Sequence, residues 1–140
     1  MALFRNETAA QTMLVAGPDN AKIVYAPKFF TAVYEAYGDG AIMAFIAHEL
    51  GHALDETLRV AWIQRAWAPE LRADAWAACA LAKANLSGRD LADGLTALAK
   101  YPSPAHPDWS ARLPVWRVGF TQCGGDGARF DRAAGGSRGK

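Results

Sequence analysis

A chain of 140 residues is long enough for one domain whose core needs neither a metal nor a disulfide staple. Apolar residues make up 51% and charged residues 21%, the formal net charge is +1, and the only basic cluster is a short Arg138/Lys140 tail, which argues against nucleic acid or an anionic membrane as the main partner. No run of about 18 apolar residues appears, and the N-terminal segment lacks the apolar centre of a leader, so a soluble, cytoplasmic protein without a membrane span is expected.

Residues 12–17 and 21–26 are short runs rich in β-branched side chains, separated by Pro18, Asp19 and Asn20, a strand–turn–strand signal. Pro27 ends the second run and opens a helix over 28–37 that Gly38 stops. Asp39 can then cap a helix over 40–58. There Ile42, Phe45, Ile46, Leu50 and Leu54 recur at spacings of three and four and predict a buried face. A third helix is expected over 69–85. A fourth is capped by Ser87, with Asp90 three residues on, and ends at Lys100.

Residues 101–107, YPSPAHP, read as a proline-punctuated loop before a final helix over 108–120, which Pro114 should kink or break. From Gly124 the chain is glycine-rich and reads as a frayed, flexible tail over 124–140, leaving a single domain over 1–123. The fold class expected is α+β, mostly helical, with a small N-terminal β element. Cys79 and Cys123 could form one disulfide, though a domain of this size does not need it, and Cys79 in its alanine-rich stretch also reads as a buried small hydrophobe. The five tryptophans read as core, with Trp62 or Trp67 as candidates for lining a pocket. Nothing in the chain requires an oligomer.

The chemistry-bearing segment is His48-Glu49-Leu50-Gly51-His52, an H-E-x-x-H pattern. On a helix, His48 and His52 lie one turn apart on one face and can share a zinc ion. Glu49, about 100° around from His48, sits beside that face, where its carboxylate can take a proton from a zinc-activated water. Gly51 leaves room for close packing. A third ligand must come from elsewhere, and His106, Glu70 and Asp74 are the candidates. Glu70 and Asp74 share one face of the next helix; one can bind zinc while the other accepts the free ring N–H of a ligand histidine. Read alone, ELRAD is also an ordinary solvated helix start.

Taken in order, HELGH, then ELRADAWAACAL with Glu70 18 residues after His52, then His106-Pro107 with Arg112 six residues after the histidine, resemble the gluzincin zinc metallopeptidases. The likeness is to the M48 (Ste24/HtpX-like) peptidases and to the neutral zinc metallopeptidase family, whose E-[LF]-x-A-D motif matches Glu70 to Asp74. It runs from about Ala21 to Cys123. The resemblance implies a zincin-like minimal domain, with the H-E-x-x-H helix packed on a second ligand-bearing helix. It implies one Zn2+ held by His48, His52 and Glu70, Glu49 as general base, Asp74 orienting a ligand histidine, and a peptide or protein substrate lying along an edge strand, for which 23–26 is the candidate. His106 is expected either to donate to the oxyanion or to cap the last helix. Arg112 is expected to anchor that helix on an acid such as Asp74 or to lie near substrate, and Asp55 to touch the ligands or to end the helix in solvent. The rival readings are a catalytically idle zinc-binding interaction module and a helical domain without metal.

Overall fold

The computed structural model describes residues 2–5, 13–15, 22–101 and 106–138. The protein is mostly helical. Three short strands, β1 (Ala2–Arg5), β2 (Met13–Val15) and β3 (Lys22–Tyr25), precede six helices: α1 (Pro27–Tyr37), α2 (Asp39–Thr57), α3 (Pro69–Ala84), α4 (Gly88–Lys100), α5 (Trp109–Gln122) and α6 (Gly127–Arg138). The strand order is β1-β3-β2, with β3 parallel to β1 and antiparallel to β2 and Ile23 opposite both Leu3 and Leu14. The expected turn at 18–20 lies outside the described residues.

Local chemistry explains the helix ends. Pro27 and Pro69 occupy first-turn positions, where a missing N–H costs nothing. The Ser87 hydroxyl accepts a hydrogen bond from the Asp90 N–H at 3.0 Å. Gly38, at φ 80°, both closes α1 and caps α2, so Asp39 is a first-turn acid rather than the cap. Asn85 ends α3 in the left-handed conformation that asparagine tolerates.

α3 is the central helix. Ala73, Ala75, Ala77 and Ala78 are fully buried, and these small side chains let α2 and α5 close on it from two sides. Gly51 of α2 lies against the Ala73 carbonyl, and Gly119 of α5 against the Ala75 carbonyl; a Cβ at either position would meet backbone. Around these seams the main core gathers Leu81 of α3, Leu91, Leu95 and Leu98 of α4, and Trp116 and Phe120 of α5.

Three expectations are corrected here. The buried stripe of α2 is Ala41, Ala44, His48, Gly51 and Asp55, while Ile42, Phe45, Ile46, Leu50 and Leu54 are only partly buried on its flanks, because close helix approach reserves the seam for small side chains. Pro114 does not break α5. It removes one hydrogen bond to the preceding turn, while buried Arg112, Val115 and Trp116 hold the helix on either side of it. The segment expected as a frayed tail contains α6, whose Phe130, Ala133 and Ala134 are buried against α4 and α5. Its glycines obscured an apolar i, i+3, i+4 pattern. Arg129 reaches the Leu86 carbonyl, and Arg117 pairs with Asp131 at 2.8 Å, fastening α6 further.

Cys79 and Cys123 are disulfide-bonded, joining the second half of α3 to the end of α5. Of the two roles open to Cys79, the bonded one holds. Trp62 and Trp67, in the α2–α3 connection, pack on a second apolar cluster with Ile63, Trp76 and Val115, in keeping with the core reading of the tryptophans.

Candidate metal centre

All three histidines of the chain meet on one carboxylate. Glu70, in the first turn of α3, has His48 Nε2 at 3.1 Å and His106 Nε2 at 2.8 Å from Oε1, and His52 Nε2 at 2.9 Å from Oε2. The His48 ring stands edge-on to His52 at 4.9 Å between centroids and to His106 at 5.0 Å. Two of these imidazoles come from one face of α2. The third comes from the residues leading into α5.

The seam between α2 and α3 creates the meeting. Gly51 lies between His48 and His52 in sequence, and the carbonyl it rests on belongs to Ala73, between Glu70 and Asp74. Close backbone approach at this one point brings both pairs of functional side chains within reach. His48 is 2% exposed and Asp74 fully buried, so their mutual contact is shielded from water.

Asp74 organises the inner layer. Its Oδ1 lies 2.8 Å from His48 Nδ1, which fixes that nitrogen as the N–H side of the ring and turns Nε2 towards Glu70. Arg112 of α5 grips the same carboxylate with Nε on Oδ2 at 2.8 Å and Nη2 on Oδ1 at 2.9 Å. The guanidinium fork thereby ties α5 to α3 and satisfies the lone pairs His48 leaves open. This is the anchoring role among the two expected of Arg112.

The electrostatics follow from this packing. Burial alone would raise Asp74, but hydrogen bonds from Arg112 and His48 outweigh it and hold the carboxyl below its ordinary range. Burial likewise opposes ionisation of Glu70, and the three imidazoles overcome it and push it well down. For His48 burial works against the charged ring, yet the hydrogen bonds to Asp74 and Glu70 raise it to about 9. A cation entering the site takes the place of that proton. Glu49 is 8% exposed, and burial pushes its carboxyl up, against the pull of His48 and His52. An acid so raised is a better proton acceptor near neutral pH.

His48, Glu70 and His106 each offer a ligand atom, and these atoms lie within 4.8 Å of one another, a group that could hold a metal ion. The donor set of imidazole and carboxylate suits zinc, and His48 carries the carboxylate partner on its other nitrogen that zinc-binding histidines usually have. The expected ligand set omitted His106. Here it stands as close to Glu70 as His52 does and so belongs to the cluster, while the N-cap position of α5 is Asp108.

Two expected neighbours lie elsewhere. Asp55, at the last turn of α2, neither touches the ligands nor ends in solvent: it is 6% exposed and accepts from Arg65 and Arg72, both at 2.8 Å, and from Trp76. It locks the α2–α3 connection. The strand expected to receive an extended substrate, at 23–26, includes most of β3, which is paired on both sides and offers no free edge. The sequence signal that would have found the Asp55 network is the run of Arg59, Arg65 and Arg72 after an acid at a helix end. No family model, curated protein or solved structure matches this chain.

Proposed function

We propose that the protein is a zinc-dependent endopeptidase of gluzincin type, a zincin-like domain with its H-E-x-x-H helix packed on a second ligand-bearing helix. The observation that carries this reading is the convergence of all three imidazoles on Glu70, with the Nδ1 of His48 turned to buried Asp74. His48, His52 and Glu70 would hold the ion. When bound, zinc lowers the pKa of water and polarises a carbonyl.

The chain's own residues supply the rest. Glu49, buried beside the ligands, takes a proton from the attacking water and passes it to the leaving amine. Asp74 keeps the His48 tautomer correct, and Arg112 keeps Asp74 ionised. Glu49 also separates this reading from an idle zinc-binding module, because a site kept for stability has no use for a buried base. The disulfide bears on location. No described helix is long and apolar enough to cross a membrane, but a reducing cytosol keeps thiols open. The Cys79–Cys123 bond therefore favours an oxidising compartment over the cytoplasmic expectation.

The test is zinc stoichiometry together with peptide-library cleavage on wild type, Glu49→Gln, His48→Ala and Glu70→Ala. The expected result is one zinc in wild type and Glu49→Gln, loss of metal in the other two, and cleavage by Glu49→Gln reduced by roughly 10²–10⁴-fold. Full activity of Glu49→Gln, or a wild-type protein that binds no zinc, would refute the proposal.

A further inference from the structure

We propose that His106 is a fourth protein ligand of the same ion, so that the resting centre is closed by three imidazoles and one carboxylate. The inference rests on the zinc-site reading above and adds to it a residue and a resting state. Its first support is distance: His106 Nε2 lies 2.8 Å from Glu70 Oε1, nearer than His48 Nε2, and within 4.8 Å of the ligand atoms of both residues. The second is symmetry. His106 and His52 stand edge-on to His48 at nearly equal centroid separations, with interplanar angles of 88° and 84°. Of the two, His106 is the one that groups with His48 and Glu70 with all ligand atoms within 4.8 Å, while His52 is held by its 2.9 Å contact with the other oxygen of Glu70.

The third support is how His106 is held. Pro107 follows it, Asp108 begins α5, and Arg112 in the first turns of that helix is clamped to Asp74, which also holds His48. One buried carboxylate therefore sets the position of the ligand on α2 and of the residues that carry His106. A tetrahedral zinc ion takes four ligands, and a catalytic one leaves the fourth place to water. With His106 in that place the centre binds metal firmly but admits no water. Hydrolysis then begins only when His106 gives way, which makes it the residue that gates the site.

The experiment uses the full chain loaded with Co2+ as a spectroscopic stand-in for Zn2+. Visible spectra of wild type, His106→Ala and His106→Asp are recorded with and without added azide, and zinc affinity is measured by chelator competition. Wild type should give an intense four-coordinate spectrum that azide leaves unchanged. His106→Ala should still bind one ion, change its spectrum, respond to azide, and bind zinc more weakly than the roughly 10–100-fold loss expected for an outer partner. His106→Asp, which restores a ligand atom, should regain azide resistance. Identical spectra and azide responses in wild type and His106→Ala would overturn the proposal while leaving the zinc site standing. A wild type that takes up neither metal would overturn both.

Discussion

Gly51→Ala probes the seam on which the site depends. A Cβ at this position would stand 2.3 Å from the Ala73 carbonyl oxygen and 3.0 Å from the Ala73 carbonyl carbon and Cα, where a separation under 3.0 Å is essentially never tolerated. Because the obstacle is backbone, α2 and α3 must separate by about 0.7 Å or more. Overpacking of this kind costs about 1–3 kcal/mol, offset by up to about 1 kcal/mol from the better helix propensity of alanine. A net loss of about 1–2 kcal/mol corresponds to a midpoint lower by roughly 4–8 °C for a chain of this size. The same separation moves His48 and His52 away from Glu70 by more than the ~0.2 Å that ligand geometry tolerates. Zinc affinity should therefore fall with the midpoint. The assay is thermal unfolding with and without zinc plus chelator competition, with Gly135→Ala on α6 as control, where the added methyl meets open space. If Gly51→Ala melts and binds zinc as that control does, close approach at the seam is not what builds the site.

Three further outcomes are expected. Replacing both Cys79 and Cys123 by serine removes a closure spanning 44 residues, which on chain entropy lowers stability by about 4 kcal/mol; denaturant melts should show it, and the native protein should titrate without free thiols. Phe130→Ala should cost about 3–5 kcal/mol if α6 is part of the core, whereas an unchanged denaturation midpoint would restore the picture of a loose tail. Asp55→Asn should cost about 1.5–3 kcal/mol at neutral pH through its hydrogen bonds to Arg65 and Arg72. Burial raises the Asp55 carboxyl, but those arginines outweigh it and lower it. Its stabilisation is thus complete above the ordinary aspartate range and fades as pH falls through the lowered value. The gap between the two proteins should close in acid and widen towards neutrality.

Much of this architecture was legible because its signals are local. The Ser87–Asp90 cap, the prolines at the starts of α1 and α3, and the glycine after α1 each act over a few residues, and the helices begin or end beside them. The motif on α2 was equally local. What escaped depended on distance. The buried stripe of α2 is built from small residues rather than the larger apolar ones, because Gly40 and Ala44 lie against Asp90 and Gly94 of α4, and Gly51 against Ala73 of α3, too closely for leucine. Hydrophobic periodicity marks a face only when large side chains do the burying. α6 was hidden by glycine content, although a single phenylalanine with two alanines anchors it on α4 and α5. His106, 54 residues beyond His52, was legible as a candidate third ligand or oxyanion donor, but its direct contact with Glu70 depends on where the residues leading into α5 return.

The buried charges are themselves an argument about purpose. Asp74, Arg112 and His48 sit almost wholly out of water, and Glu70 joins them at the edge. A buried ion pair gains little stability over a well-packed apolar group, since desolvation offsets most of the attraction. This chain has no shortage of small apolar residues: alanine fills the positions on α3 beside Asp74. A carboxylate retained among them, gripped on both oxygens by a guanidinium and sharing one of them with an imidazole, is costly as packing and economical only as an orienting device. Its geometry fixes one nitrogen of His48 and leaves the other pointed at Glu70. That division of one ring between two carboxylates is what a cation needs and what a core does not, and it is the reason to look for the ion before looking for anything else.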